Sequence, residues 1–184
     1  MRAAVLTLAF LLGACASPSP VLVVDDVAVS DPRVSTALGT DAAGHPRVTL
    51  ILTDPGPPNV SDAGASYAFE IDLGPEARMG DVLTVDGVAT LTRASGTGTL
   101  TRTFAPGAGH DPKVLSVSAT ISCFCDVGLG PFVQNVTGTL DVTRLSATEA
   151  TLHVDLVVEG IIPSGGSASR RLHVMGSFTA TPAT

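Results

Sequence analysis

The chain is expected to be all-β, an antiparallel β-sandwich of about eight to ten strands, and three observations predict this. Apolar and polar residues alternate at period two in several long stretches. Clusters of Gly, Pro, Asp and Ser interrupt those stretches at short spacing. After Cys15 no apolar stripe of helical period runs for any useful length. One polar face per strand points to antiparallel pairing, because parallel strands buried on both faces read as unbroken apolar runs. A closed β-barrel with an internal cavity is the alternative that the same pattern admits.

Taken in order, strands are predicted over 21–29, 47–53, 66–73, 81–85, 88–93, 98–104, 114–123, 135–144, 150–158 and 170–180. Tyr67, Phe69, Ile71 and Leu73 share one face, with Ala68, Glu70 and Asp72 on the other. Leu115, Val117, Ala119 and Ile121 alternate with serines and a threonine. Leu152, Val154, Leu156 and Val158 alternate with His153, Asp155 and Val157, and the run from Leu172 to Ala180 repeats the pattern. Asp86-Gly87, between two such runs, predicts a tight hairpin that sets Val85 against Val88. Residues 145–149 predict a second hairpin, and 74–80 have room for one helical turn at most.

The N-terminus carries a different signal. Met1-Arg2 is positive, residues 3–12 are uncharged, and Leu12-Gly13-Ala14-Cys15 follows. This stretch is shorter than the roughly 20 apolar residues a helical span needs, and it has the layout of a secretory signal. Its small-small-Cys ending resembles the lipobox of bacterial lipoproteins. The resemblance implies cleavage before Cys15, loss of 1–14 as signal peptide, and acylation of Cys15 with palmitate-type chains that hold the protein on a membrane. Ala16 rather than Asp after the cysteine implies the cell outer membrane. Residues 15–20 then form the lipidated cysteine and a Ser/Pro tether, with a single all-β domain over 21–184. The ending of the chain, from the Gly138-Thr139-Leu140 strand to Gly176-Ser177-Phe178-Thr179-Ala180, is similar to that of other bacterial lipoproteins, a generic likeness that carries no activity.

Composition narrows the partners. The 184 residues hold 10 basic and 17 acidic side chains, and removal of Arg2 with the signal makes the balance more negative still. No nucleic-acid partner is expected, since that requires a basic footprint. Membrane attachment would come from the acyl chains on Cys15, not from a polybasic patch. Trp is absent and Tyr67 is the sole tyrosine, so platforms for stacking bases or sugars are scarce.

With Cys15 taken up by lipid, Cys123 and Cys125 are the remaining thiols, an even pair in an oxidising compartment and hence a candidate disulfide. Residues i and i+2 of a regular strand stand roughly 6.5–7 Å apart, so a bridge needs the chain to bend there. Free thiols, a metal site and thiol-redox chemistry remain open for this pair. His153, Asp155 and His173 are weak metal candidates on polar strand faces, with solvated surface residues as the plainer reading. Asp54 to Asp62 is an oxygen-rich loop without calcium-loop spacing, and Asp25-Asp26 reads as a solvated edge feature. Arg170-Arg171 opens the last predicted strand as an anion seat or, more plainly, as edge protection. No Gly-x-Ser-x-Gly elbow or P-loop occurs, and no cofactor is called for. The expectation is a non-catalytic envelope lipoprotein that binds a protein or envelope component through segments 54–65, 105–113, 126–134 and 159–169. The alternatives are a carrier of a small apolar ligand in a barrel cavity and a thiol-redox protein using Cys123 and Cys125.

Overall fold

The computed structural model describes residues 19–55, 65–93, 100–122, 132–161 and 169–182. Among them lie eleven strands: β1 (Val21–Val24), β2 (Val27–Ala28), β3 (Arg33–Thr40), β4 (Pro46–Thr53), β5 (Ser66–Leu73), β6 (Val82–Arg93), β7 (Leu100–Pro106), β8 (Val114–Ser122), β9 (Phe132–Leu145), β10 (Ala150–Ile161) and β11 (Ser169–Ala180). They form a seven-stranded sheet, β2-β1-β11-β10-β9-β6-β7, and a four-stranded sheet, β3-β4-β5-β8. Every pairing within the two sheets is antiparallel. Both sheets are open, so the architecture is a β-sandwich and the barrel alternative is set aside.

The alternation builds the core. Leu152, Val154, Leu156 and Val158 of β10 and Leu172, Val174 and Phe178 of β11 point inward from the large sheet and are fully buried or nearly so. Val48, Leu50 and Leu52 of β4 and Phe69, Ile71 and Leu73 of β5 face them from the small sheet. Side chains thus fill the space between the layers. Each fully buried Leu or Phe contributes roughly 1.5–3 kcal/mol of transfer free energy relative to exposure.

Three expectations are corrected. Asp86-Gly87 is not a hairpin: Val82 to Arg93 is one strand, and neither residue of the pair has a positive φ. The reason is non-local. The fourteen-residue β9 pairs with β6 continuously from Val82↔Asp141 to Leu91↔Phe132, which outweighs a local turn preference. Val85 therefore faces Gly138, and Val88 faces Asn135 and Ala105. Gly87 is required because the Phe104 ring lies where its Cβ would be. The tight turn forms instead at Asp25-Asp26, with φ of 49° and 66°, and splits the predicted 21–29 strand into β1 and β2. Positive φ at both central residues is the type I′ requirement, and Asp tolerates it better than most residues. Finally, β3 was not expected. It is an edge strand in which Leu38 alone is buried, so its sequence shows no alternation.

Two contacts tie the sheets together at their edges, one through a side chain and one through backbone. Gln134 of β9, fully buried, spans the sandwich to β8: its Nε2 donates to the Ala119 carbonyl at 2.6 Å, and its Oε1 accepts from the Ala119 N–H at 3.0 Å. It thereby supplies the strand partner that β8 lacks on its outer side. At the opposite corner the Leu38 N–H donates to the Thr181 carbonyl, tying β3 to the end of β11.

Candidate functional site

Strand registers sort the connections onto two ends. The strand termini flanking 56–64, 94–99, 123–131 and 162–168 gather at one end through Thr53↔Ser66, Ser66↔Ser122, Leu91↔Phe132, Arg93↔Leu100 and Ile161↔Ser169. We call this the loop end. The opposite, turn end carries 41–45, 74–81, 107–113 and 146–149. Of the four segments expected to carry a site, 54–65, 126–134 and 159–169 therefore belong to one end and 105–113 to the other. Their boundaries are also narrower than expected, because 105–106, 132–134 and 159–161 are strand.

Between the layers at the loop end lies a groove of about 520 Å³. The β1–β2 hairpin and Val29 to Asp31 form one wall, and Asp54, Pro55 and Tyr67 form the other. Tyr67 is 7% exposed; burial first, and the Asp54 carboxylate second, push its phenol above the ordinary pKa. Val27, on the rim, is 69% exposed.

The hairpin is clamped to β11. Asp25 accepts from the Arg171 N–H at 2.9 Å and from the Arg170 guanidinium, while the Asp25 N–H donates to the Arg171 carbonyl. The backbone bond from Arg171, followed by the Arg170 charge, lowers the Asp25 pKa. Asp26 pairs with Arg171 at 2.8 Å, and Arg171 also meets Glu159 at 2.9 Å. Arg170 and Arg171 thus face carboxylates rather than an open anion seat. Nor does β11 form a sheet edge, since it lies between β1 and β10. Asp25-Asp26 forms the turn between the two outermost strands of the large sheet.

The weak metal candidates separate. β10 and β11 do pair, and His173 Nε2 meets Asp155 Oδ1 at 2.7 Å on the outer face of the large sheet. His153 turns instead to Ser177, its Nδ1 lying 3.1 Å from the hydroxyl. Among the described residues, no three His, Cys, Asp or Glu side chains are grouped so as to hold a metal ion. His110 lies in the turn between β7 and β8. Its Nε2 donates to the Val114 carbonyl at 2.6 Å and its Nδ1 accepts from the Asp86 N–H at 3.2 Å, an arrangement that fixes the tautomer. Cys15, Cys123 and Cys125, with the leader, the first part of the tether and most of the Asp54–Asp62 loop, lie outside the described residues.

Two buried polar features escaped the sequence reading. Glu70 and Asp72, expected in solvent, belong to a network on the outer face of the small sheet. Arg47 grips Asp72 through Nε at 2.6 Å and Nη2 at 2.9 Å, Ser116 donates to Asp72 at 2.7 Å, and Arg102 reaches Glu70 from β7 at 2.7 Å. The hydrogen bonds from Arg47 to Asp72 raise the pKa of this guanidinium further. Asp72 is 8% exposed. Side chains from β4, β7 and β8 cover these carboxylates, which alternation within β5 has no means of announcing. Gln134 is the other, an inward polar residue whose only signal is the Phe132-x-Gln134-x-Val136 period. No family model, no curated protein and no solved structure matches the chain. At the loop end the arrangement offers recognition: a groove with an apolar wall, lined also by the exposed Val27 and Asp31.

Proposed function

We propose that this protein is a non-catalytic lipoprotein of the bacterial cell envelope, held on the outer membrane by acyl chains on Cys15, that binds a protein or envelope component through its loop end. The observation that supports the reading is that the strand termini flanking four connections meet at one end of the sandwich. Binding sites concentrate on loops displayed by such scaffolds. The lipobox-like Leu12-Gly13-Ala14-Cys15 supports the anchor, and two or more acyl chains suffice for stable attachment. The carrier alternative needed a barrel cavity, and two open sheets with a side-chain-filled interior do not favour it.

Two measurements test this. Metabolic labelling with a palmitate analogue should mark the wild type and leave Cys15→Ala blank; equal labelling would refute the anchor. A photo-crosslinking residue at Val27, at the loop end, should capture a discrete envelope species in intact cells, whereas the same residue at Ser146, at the turn end, should not. An identical pattern from both positions would refute a loop-end site.

A further inference from the structure

We propose that the turn end of the sandwich rests directly on the surface of the membrane that holds the anchor, so that the loop end faces away from the bilayer. This inference rests on the lipid-anchor reading above and adds an orientation to it. The first observation is where the tether leaves the domain. Pro20 packs against Gly176, whose added Cβ would stand 2.8 Å from the Pro20 Cα. β1 then runs from Val21↔Met175 to Val24↔Leu172, so the chain enters the sheet heading toward the loop end. The tether therefore comes from the turn-end side.

Chain length turns this direction into a bound. Five residues separate Pro20 from Cys15, and even fully extended they reach only about 17 Å. Along β11, Gly176 is four residues from the strand's turn-end terminus at Ala180 and seven from its loop-end start at Ser169. At roughly 3.3 Å per residue those distances are about 13 Å and about 23 Å. A lipidated Cys15 can thus reach the level of the turn end but falls short of the loop end. Only about 4 Å of free stalk is left over, which holds the domain against the bilayer.

The turn end is chemically suited to that contact. Met79 is 70% exposed there and Val82 69%, and Met79 borders a groove lined by Pro46, Pro75, Ala77 and Leu145. Its cations are matched locally by acids: Lys113 with Asp81 at 2.8 Å, Arg144 with Glu149 at 2.8 Å, and Arg78 with Glu76 at 3.9 Å. Asp41, which meets His45 at 3.0 Å, and Asp111 add acid beyond these pairs, so contact with the bilayer falls to the exposed apolar Met79 and Val82 and not to charge.

Because the natural chain has no tryptophan, single substitutions give clean reporters. The full-length lipidated protein would be prepared as Met79→Trp at the turn end, Val27→Trp at the loop end and Val34→Trp on the β3 flank, all exposed positions. Each would be placed in phosphatidylethanolamine–phosphatidylglycerol vesicles containing a lipid with a headgroup nitroxide. Fluorescence at position 79 should be quenched, and that at 27 should match vesicle-free protein. Equal quenching at 27 and 79, or quenching at 34 without 79, would overturn the orientation while flotation with the vesicles upholds the anchor. Failure to float and to take the palmitate label would overturn both.

Discussion

At the turn end, ion pairs such as Lys113 with Asp81 stand beside many side chains that bond the local backbone: Asp41 accepts from the N–H groups of Ala43 and His45, Ser146 from those of Thr148 and Glu149, and Asp111 from that of Lys113. At the loop end one such bond, from the Arg171 N–H to Asp25, stands beside the ion pairs of Arg170 with Asp25, Arg171 with Asp26 and Arg171 with Glu159. The difference matters because a side chain–backbone bond fixes the path of the chain, whereas exposed ion pairs are worth roughly 0–1 kcal/mol and can be exchanged for a partner's groups. One end is built to hold its shape. The other can trade contacts without unfolding the sandwich.

The comparison breaks most decisively at Gln134, which joins the layers in the half of the sandwich nearer the loop end. Gln134→Leu leaves the Ala119 N–H and carbonyl without their partner, at about 1–3 kcal/mol for each group. Urea denaturation should show that loss in full; a loss below that of a single group would mean that β8 finds another partner. Next in size is Gly87→Ala beside the turn end, where the new methyl group meets the Phe104 ring and the Ala105 carbonyl. Overpacking of this kind costs about 1–3 kcal/mol. Gly39→Ala in β3, with nothing within 4 Å of the added Cβ, should instead raise stability by about 0.5 kcal/mol. Thermal melts of the pair sharpen the contrast between crowded and open backbone.

Acid sharpens it further. Asp41 and Asp81 at the turn end and Asp25 at the loop end all have pKa values lowered from the ordinary 3.8, Asp41 mainly by the His45 backbone N–H, Asp81 mainly by Lys113 and Asp25 mainly by the Arg171 backbone N–H. A depressed folded-state pKa gives stability that is present above the unfolded value and disappears as pH falls through the folded one. The melting temperature should thus be steady above about pH 5 and drop below about pH 4. Asp41→Asn and Asp25→Asn should each flatten the drop; if only Asp41→Asn does, the Asp25 clamp adds no stability. Lys113, raised from 10.5 chiefly by its bond to Asp81, loses its contribution as pH climbs past that value. The smallest effect belongs to Arg170→Ala, which removes one exposed pair and should cost under about 1 kcal/mol by urea titration. A larger loss would show that the fold depends on contacts at the loop end as much as on those at the turn end.

Strands with one buried face were legible because burial writes itself into the sequence at period two, as in 66–73 and 150–158. β3 was not, since an edge strand with Leu38 as its one buried residue leaves no such record. The hairpin at Asp86-Gly87 misled for a related reason: a two-residue signal describes local preference and ignores the ten β9 residues, Phe132 to Asp141, that pair across it. The candidate site was legible only in part. The sequence marked 54–65, 126–134 and 159–169 as connections, but it could not say that they leave from one end while 105–113 leaves from the other.

By itself, then, the sequence determined the all-β class, the inward faces of the main strands and the acidic balance. These are properties of short windows or of composition, and they hold whatever the topology. Tertiary structure decided which strands share a sheet, that Arg47, Arg102 and Ser116 engage Glu70 and Asp72, that Gln134 serves as the partner β8 lacks, and which strand termini meet at the loop end. Each of those depends on pairings between residues distant in the chain, such as Arg47 with Asp72 or Asp25 with Arg170. Such pairings are chosen by the free energy of the whole sandwich, and no local pattern encodes them.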